Sequence, residues 1–243
     1  MNRKKAIIIG ATSGIGLEIA IQLLQEGWKI GATGRRSVAL LKLQHQFEGQ
    51  VEIEVMDVTL PKAPEQMNRL IERLGGMDLF LLSAGIGFQN PELNESIEVD
   101  TMMTNGVGFT RMIGAAFNYF KTHGKAGQIA AITSVAGTKG IGVAPAYSAS
   151  KRFQQNYIEA MAQLAYRQGL DINFTDIRPG FVATDLLKGR DYPLLMDARF
   201  VAGKIIDAIK RKQRIVVIDW RYRMLVILWR LIPRWIWERM KVG

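Results

Sequence analysis

Lys5-Ala-Ile-Ile-Ile-Gly10-Ala-Thr-Ser-Gly14-Ile-Gly16 is the stretch that decides the fold of this 243-residue chain. Residues 6–9 form an apolar run of strand length. Over residues 14–26, apolar side chains return at Ile15, Ile19, Leu23 and Leu24, which is helical spacing. Between the two stand Gly10, Gly14 and Gly16, spaced G-x-x-x-G-x-G, with Thr12, Ser13 and Ile15 in the same turn. Such glycines let backbone approach a pyrophosphate closely. The helix opening there offers unpaired N–H groups and a partial positive charge. A glycine turn also simply closes a strand-to-helix corner. Its place between a buried strand and an amphipathic helix favours the nucleotide.

The alternation continues outward from this stretch. Residues 28–33, 51–56, 77–82, 128–133, 171–177 and 214–219 read as further strands. Residues 38–47, 61–74, 99–121, 147–167 and 197–210 read as helices, the second with Pro61 at its start. Helical crossovers between apolar strands predict an α/β fold: a doubly wound, parallel, seven-stranded sheet of Rossmann type. One domain is expected over 1–219, with a C-terminal amphipathic extension over 220–243.

Composition narrows the chemistry. The absence of cysteine excludes disulfides and thiolate catalysis, and His45 and His123 alone are too few for a transition-metal site. No metal is expected. The basic start is followed by an apolar run too short for a secretion signal, so a cytoplasmic protein is expected. Of the net charge of +10, +8 lies from Lys204 onward, where 11 Lys/Arg face 3 Asp/Glu. The body of the chain is therefore near neutral, which speaks against nucleic acid as a partner.

The second strand ends Thr33-Gly34-Arg35-Arg36. A carboxylate there would suit the ribose hydroxyl of NAD, whereas two guanidiniums suit a 2′-phosphate. NADP(H) is therefore expected over NAD(H). The alternative is a solvated arginine pair at a helix start, where cations are mildly disfavoured. Asp57, closing the third strand, can accept the adenine amino group with help from the Val58 backbone. A turn or N-cap aspartate is the other reading.

At Tyr147-Ser-Ala-Ser-Lys151 a phenol and an ammonium lie four residues apart, on one face of a helix. A nearby ammonium favours the phenolate, so the pair can move a proton near neutral pH. Ser134 ends the fifth strand, at the edge where doubly wound sheets bind ligand, and can steady a substrate oxygen. Asn105 sits inside a helix, a poor place for Asn unless its side chain has a task. Holding a water that links Lys151 to solvent is one such task, and capping or packing is another.

Taken together, these residues resemble the short-chain dehydrogenase/reductase family over about residues 5–219. The glycine motif matches Gly10, Gly14 and Gly16, and the serine, tyrosine and lysine match Ser134, Tyr147 and Lys151. The helix asparagine matches Asn105, and the Pro-Gly segment matches Pro179-Gly180-Phe-Val182-Ala-Thr184. The resemblance implies that Ile15 meets the pyrophosphate and Arg35 the 2′-phosphate. It also implies that Val182 and Thr184 hold the nicotinamide carboxamide and that Ala84 and Gly85 let backbone approach the cofactor. One departure stands out. The family often has Asn-Asn-Ala-Gly after the fourth strand, where this chain has Leu82-Ser83-Ala84-Gly85, which leaves open how that loop is tied down. The implied reaction is hydride transfer between NADPH and a carbonyl or alcohol, with Tyr147 as proton donor. The long helices after the fourth and fifth strands resemble those that build the family's homodimers.

Two segments remain. Residues 181–199 carry Leu186, Leu187, Tyr192, Leu194 and Leu195 and are expected to cover an apolar substrate. The tail holds four of the five tryptophans among its arginines and has no charge-free run long enough to span a bilayer. Two short helices broken at Pro233 fit a peripheral contact with the inner face of a membrane. A tail packed on its own domain or across a dimer fits equally. A nucleotide-sensing regulatory protein on the same fold is the alternative function.

Overall fold

The computed structural model describes residues 3–187 and 192–242, without the side chain of Leu186. Seven strands form one parallel sheet: β1 (Lys5–Ile9), β2 (Lys29–Gly34), β3 (Val51–Val55), β4 (Leu79–Leu82), β5 (Gly127–Ile132), β6 (Ile172–Arg178) and β7 (Ile215–Val217). Their spatial order is β3-β2-β1-β4-β5-β6-β7. Central Ile7 pairs with Gly31 of β2 on one side and Phe80 of β4 on the other. The order reverses direction between β1 and β4, so a crevice opens beyond the carboxyl ends of those strands.

The helices are α1 (Gly14–Gln25), α2 (Ser37–Gln46), α3 (Ala63–Leu74), α4 (Glu95–Met102), α5 (Phe109–His123), α6 (Pro145–Arg167), α7 (Ala198–Lys210), α8 (Trp220–Leu231) and α9 (Arg234–Trp237). They form two layers, because successive side chains of a strand point to opposite faces. Ala6 and Ile8 join a core with α1, α2, α7 and α8. Ile7 and Ile9 join a second core with α3, α5 and α6. Both faces are covered, so the strands are continuous apolar runs rather than alternating ones.

Element ends differ from the sequence expectation for local reasons. The helix expected over 61–74 begins at Ala63, with Pro64 in its first turn, because the chain before it is taken up by turns, the first held by Asp57. The helix expected over 99–121 starts earlier, where Asn94 caps it and Glu95 and Glu98 favour its positive end. It runs without a break through a π-helical turn, Met103–Gly108, into α5 and ends at Gly124 in the left-handed region. The α6 helix begins at Pro145, two residues before Tyr147. The tail is helical and breaks at Pro233, as its sequence suggests. Tyr222, Val226 and Trp237 are buried, so the tail packs on the domain rather than trailing from it.

Candidate active site

The glycine turn is held from both sides. Gly10 and Ala11 donate N–H bonds of 3.0 and 2.8 Å to Thr33 O, and Ser83 and Ala84 donate to Ile9 O. Gly10 has φ +92° and faces the Ala84 backbone, which a Cβ would meet at 2.7 Å. A Cβ on Gly16 would lie 2.2 Å from Gly10 O. Both positions demand glycine. The helix that opens here, α1, has neither a side-chain cap nor an acidic residue in its first turn. Its amide end thus offers backbone donors to an anion, with Glu18 and Asp185 the carboxylates that line the cavity beside it. Arg36 adds charge, donating to Thr12 Oγ1 at 3.1 Å, to Ser13 Oγ, and to Asp185 Oδ2 at 3.3 Å. Arg35 is exposed nearby. These residues fit the pyrophosphate and an added phosphate.

Asp57 Oδ1 accepts the Thr59 N–H at 2.9 Å and the Thr59 hydroxyl at 2.7 Å, a turn role. Burial pushes its carboxyl pKa up, but the two Thr59 bonds and the Arg35 charge outweigh this and hold it below the usual value. The Val58 side chain is buried in the second core, and its carbonyl accepts from Arg111 Nη1 at 2.9 Å.

At the chemical end, Ser134 follows β5 and Tyr147 lies in the first turn of α6. Burial pushes the Tyr147 phenol pKa up, and a hydrogen bond with the Ser134 hydroxyl opposes that rise, so the two hydroxyls face each other. The Lys151 side chain is almost fully buried, and its Nζ lies 5.6 Å from the centre of the Tyr147 ring. It donates to Ile132 O at 3.2 Å and to Gln154 Oε1 at 3.1 Å. Burial lowers its pKa to about 8, with the Asp176 charge pulling the other way.

Asn105 lies on the π-helical turn and is fully buried. Its amide grips the loop after β4: Nδ2 donates to Ile86 O at 2.7 Å and Oδ1 accepts from Ile86 N at 3.0 Å. That clamp ties down the loop whose usual asparagines are missing. Nδ2 also donates to Ser150 Oγ at 3.1 Å. The Asn105 carbonyl accepts from Gln154 Nε2 at 2.9 Å, so Gln154 bridges Asn105 and Lys151.

Several site residues escaped the sequence reading. Gln155 Nε2 donates to Ser134 O at 2.7 Å, steadying the serine's backbone. Asp176 and Arg178 form a buried pair on β6, and Thr133 Oγ1 donates to Asp176 at 2.6 Å. Gly87 lies flat on Tyr147, and a Cβ there would meet the ring at 2.5 Å. Only the glutamines' position beside Lys151 hinted at their role, and polar helix residues are ordinarily solvated.

The Pro-Gly segment closes the site. Pro179 O accepts from Val135 N at 3.0 Å, and Gly180 lies against the Tyr222 ring. Phe181 N donates to Tyr222 Oη at 3.0 Å, and Oη donates to Leu194 O at 3.1 Å, so one tail residue holds both ends of the covering segment. Val182 is buried and bridges to Met196. Thr184 lies against Gly14, and a cavity of about 440 Å³ opens beside them, lined also by Ala183, Leu187 and Leu195. Residues 188–191 of the expected cover lie outside the described residues.

Comparison with known proteins agrees with this geometry. The family model for short chain dehydrogenase matches residues 4–192. An uncharacterized oxidoreductase of Myxococcus xanthus is 26% identical over 96% of this chain and 94% of its own length. A putative ketoacyl reductase of Streptomyces coelicolor is 32% identical over 74% of this chain and 71% of its own. The solved structure of ElxO with NADP bound superposes with a TM-score of 0.80 at 21% identity, over 92% of this chain and all of that one. The structure of a short-chain dehydrogenase from Streptomyces avermitilis gives the same score at 20% identity, over 93% and 92% of the two chains. The chain belongs to the short-chain dehydrogenase family and is an NAD(P)-dependent oxidoreductase acting on CH–OH and C=O groups.

Proposed function

We propose that this protein is an NADP(H)-preferring carbonyl reductase for a lipophilic substrate. The observation that carries the reading is the cluster of buried Ser134 and Lys151 with half-buried Tyr147 at the strand ends, in one crevice with an uncapped, arginine-flanked helix start. Bound NADPH would supply the hydride, held by Gly10, Thr12, Ser13, Gly14, Ile15, Gly16, Ala84, Gly85 and the Pro179–Thr184 segment. Arg35 and Arg36 would take its 2′-phosphate, and Asp57 and Val58 its adenine. A structural relative, ElxO, binds NADP, which supports the preference.

The chain's own groups then act on the carbonyl oxygen. The raised pKa keeps the Tyr147 phenol protonated at neutral pH, ready to give its proton as charge develops. Ser134 donates to the same oxygen, and the Lys151 ammonium stabilises the phenolate left behind. Asn105 and Gln154 hold Lys151 in place. The reading also takes the protein as a cytoplasmic homo-oligomer working at the inner face of a membrane. Val99, Met103, Val107 and Phe153 are exposed along α4, the π turn and α6, which supports pairing of two copies there.

The test is Tyr147→Phe, with NADPH and NADH oxidation followed across a panel of ketones. The variant is expected to lose about 100-fold or more in kcat while still binding NADPH. A variant that keeps most of its activity on a confirmed substrate sinks the assignment.

A further inference from the structure

The α8 helix has two apolar faces where a packed surface helix ordinarily has one. Tyr222 and Val226 point into the first core. On the opposite side Trp220, Met224, Ile227, Leu228 and Leu231 form an outward stripe at i, i+4, i+7, i+8 and i+11, with Trp220 at 71% and Leu231 at 74% exposure. Arg223 and Arg230 flank one edge of that stripe, and both are exposed. Beyond Pro233 the surface continues with Trp235 and Ile236, exposed beside Arg234 and Arg239. Glu238 is the only acidic residue after Asp219. The tail is rigidly seated: Lys139 Nζ donates to Ile232 O at 2.8 Å, Trp237 Nε1 donates to Gly140 O at 2.7 Å, and the Trp229 and Trp237 rings meet at 5.1 Å.

We infer that the outer face of α8 and α9 docks this protein on an anionic phospholipid bilayer. Charge complementarity selects this occupant. A convex apolar stripe bordered by tryptophans and guanidiniums matches an acyl boundary beneath anionic headgroups. A second copy of the chain fits poorly in an antiparallel pairing of α8, because that twofold contact would set Arg223 and Arg230 against the same arginines. The tail also touches the covering segment through Tyr222 and the loop after Ser134 through Ile232 and Trp237. A docked tail would therefore hold the substrate space about one helix diameter, about 10 Å, from the membrane, where a carbonyl borne on a lipid chain is dissolved. This last point builds on the reductase reading, whereas the docking does not.

The experiment uses the full chain and sedimented vesicles, made either of phosphatidylcholine alone or of phosphatidylcholine mixed with phosphatidylglycerol. Binding to the mixed vesicles is expected to exceed binding to the neutral ones by about tenfold and to fall as salt is added. The double variant Leu228→Asp/Leu231→Asp changes two exposed side chains. It is expected to lose that binding by about tenfold or more while keeping the parent's thermal midpoint and its turnover of a water-soluble ketone. Equal sedimentation of parent and variant overturns the docking. So does a parent that ignores anionic vesicles, or a variant whose main change is dissociation of a dimer. Intact vesicle binding with no turnover of any carbonyl would overturn the reductase reading and leave the docking standing.

Discussion

Lys151 is a cation in a place that disfavours cations. Its pKa of about 8 lies below the 10.5 of an exposed lysine because burial penalises the ammonium more than Asp176 rewards it. The folded state therefore releases this proton more readily than the unfolded state. Below about pH 8 both states hold the proton and the penalty is present in full. Between about 8 and 10.5 only the unfolded state still holds it, so the folded form gains up to about 1.4 kcal/mol per pH unit. Lys151→Met removes this contribution. Urea unfolding of the cofactor-free parent and variant at about pH 7.5 and about 9.5 is expected to show the variant's relative advantage shrinking at the higher pH. A difference that does not change with pH would mean the ammonium is not strained. Ser134, Tyr147 and Lys151 were legible from their spacing and their element. Gln154 was not, because only the packing of α6 under the π turn turns that amide inward.

At the scale of elements, the joint between α8 and the covering segment matters most. Tyr222 Oη accepts from Phe181 N and donates toward Pro193 and Leu194 carbonyls. Tyr222→Phe keeps the ring against Gly180 but leaves the Phe181 N–H and the Pro193 and Leu194 carbonyls without this partner. A loss of about 0.5–1.5 kcal/mol in stability is expected, with a raised KM for the ketone and little change in the KM for NADPH. Steady-state kinetics checks this, and a variant with unchanged KM for the ketone would show that α8 does not set the cover. The sequence showed a long helix with a misplaced asparagine, and the structure shows why. The π turn at Met103–Gly108 widens the helix and aims Asn105 at Ile86. A single extra residue per turn leaves no mark in the apolar period, so the turn itself was not legible.

For the whole molecule, the C-terminal extension counts as part of the domain. Removing residues 220–243 would strip Tyr222, Val226 and Trp237 from burial. At about 1.5–3 kcal/mol for each large side chain, the loss is about 5 kcal/mol or more, comparable with the total stability of an ordinary domain. The truncated chain is expected to melt at least about 10 °C lower or to lose its cooperative transition, as thermal unfolding would show. A midpoint within about 3 °C of the parent would mean the tail is dispensable.

The sequence by itself determined the parallel sheet, its seven strands, the glycine turn and the order of Asn105, Ser134, Tyr147 and Lys151 along the chain. Those features depend on local period, on glycine at crowded backbone positions and on spacing along one helix, all of which the chain carries wherever it is placed. The tertiary structure alone decided which polar groups are buried, that Asn105 clamps a loop while Gln154 reaches Lys151, and which face of the tail turns inward. Burial is a property of what lies across the gap, and the partners of Ile232 and Trp237 lie 93 and 97 positions away in the chain.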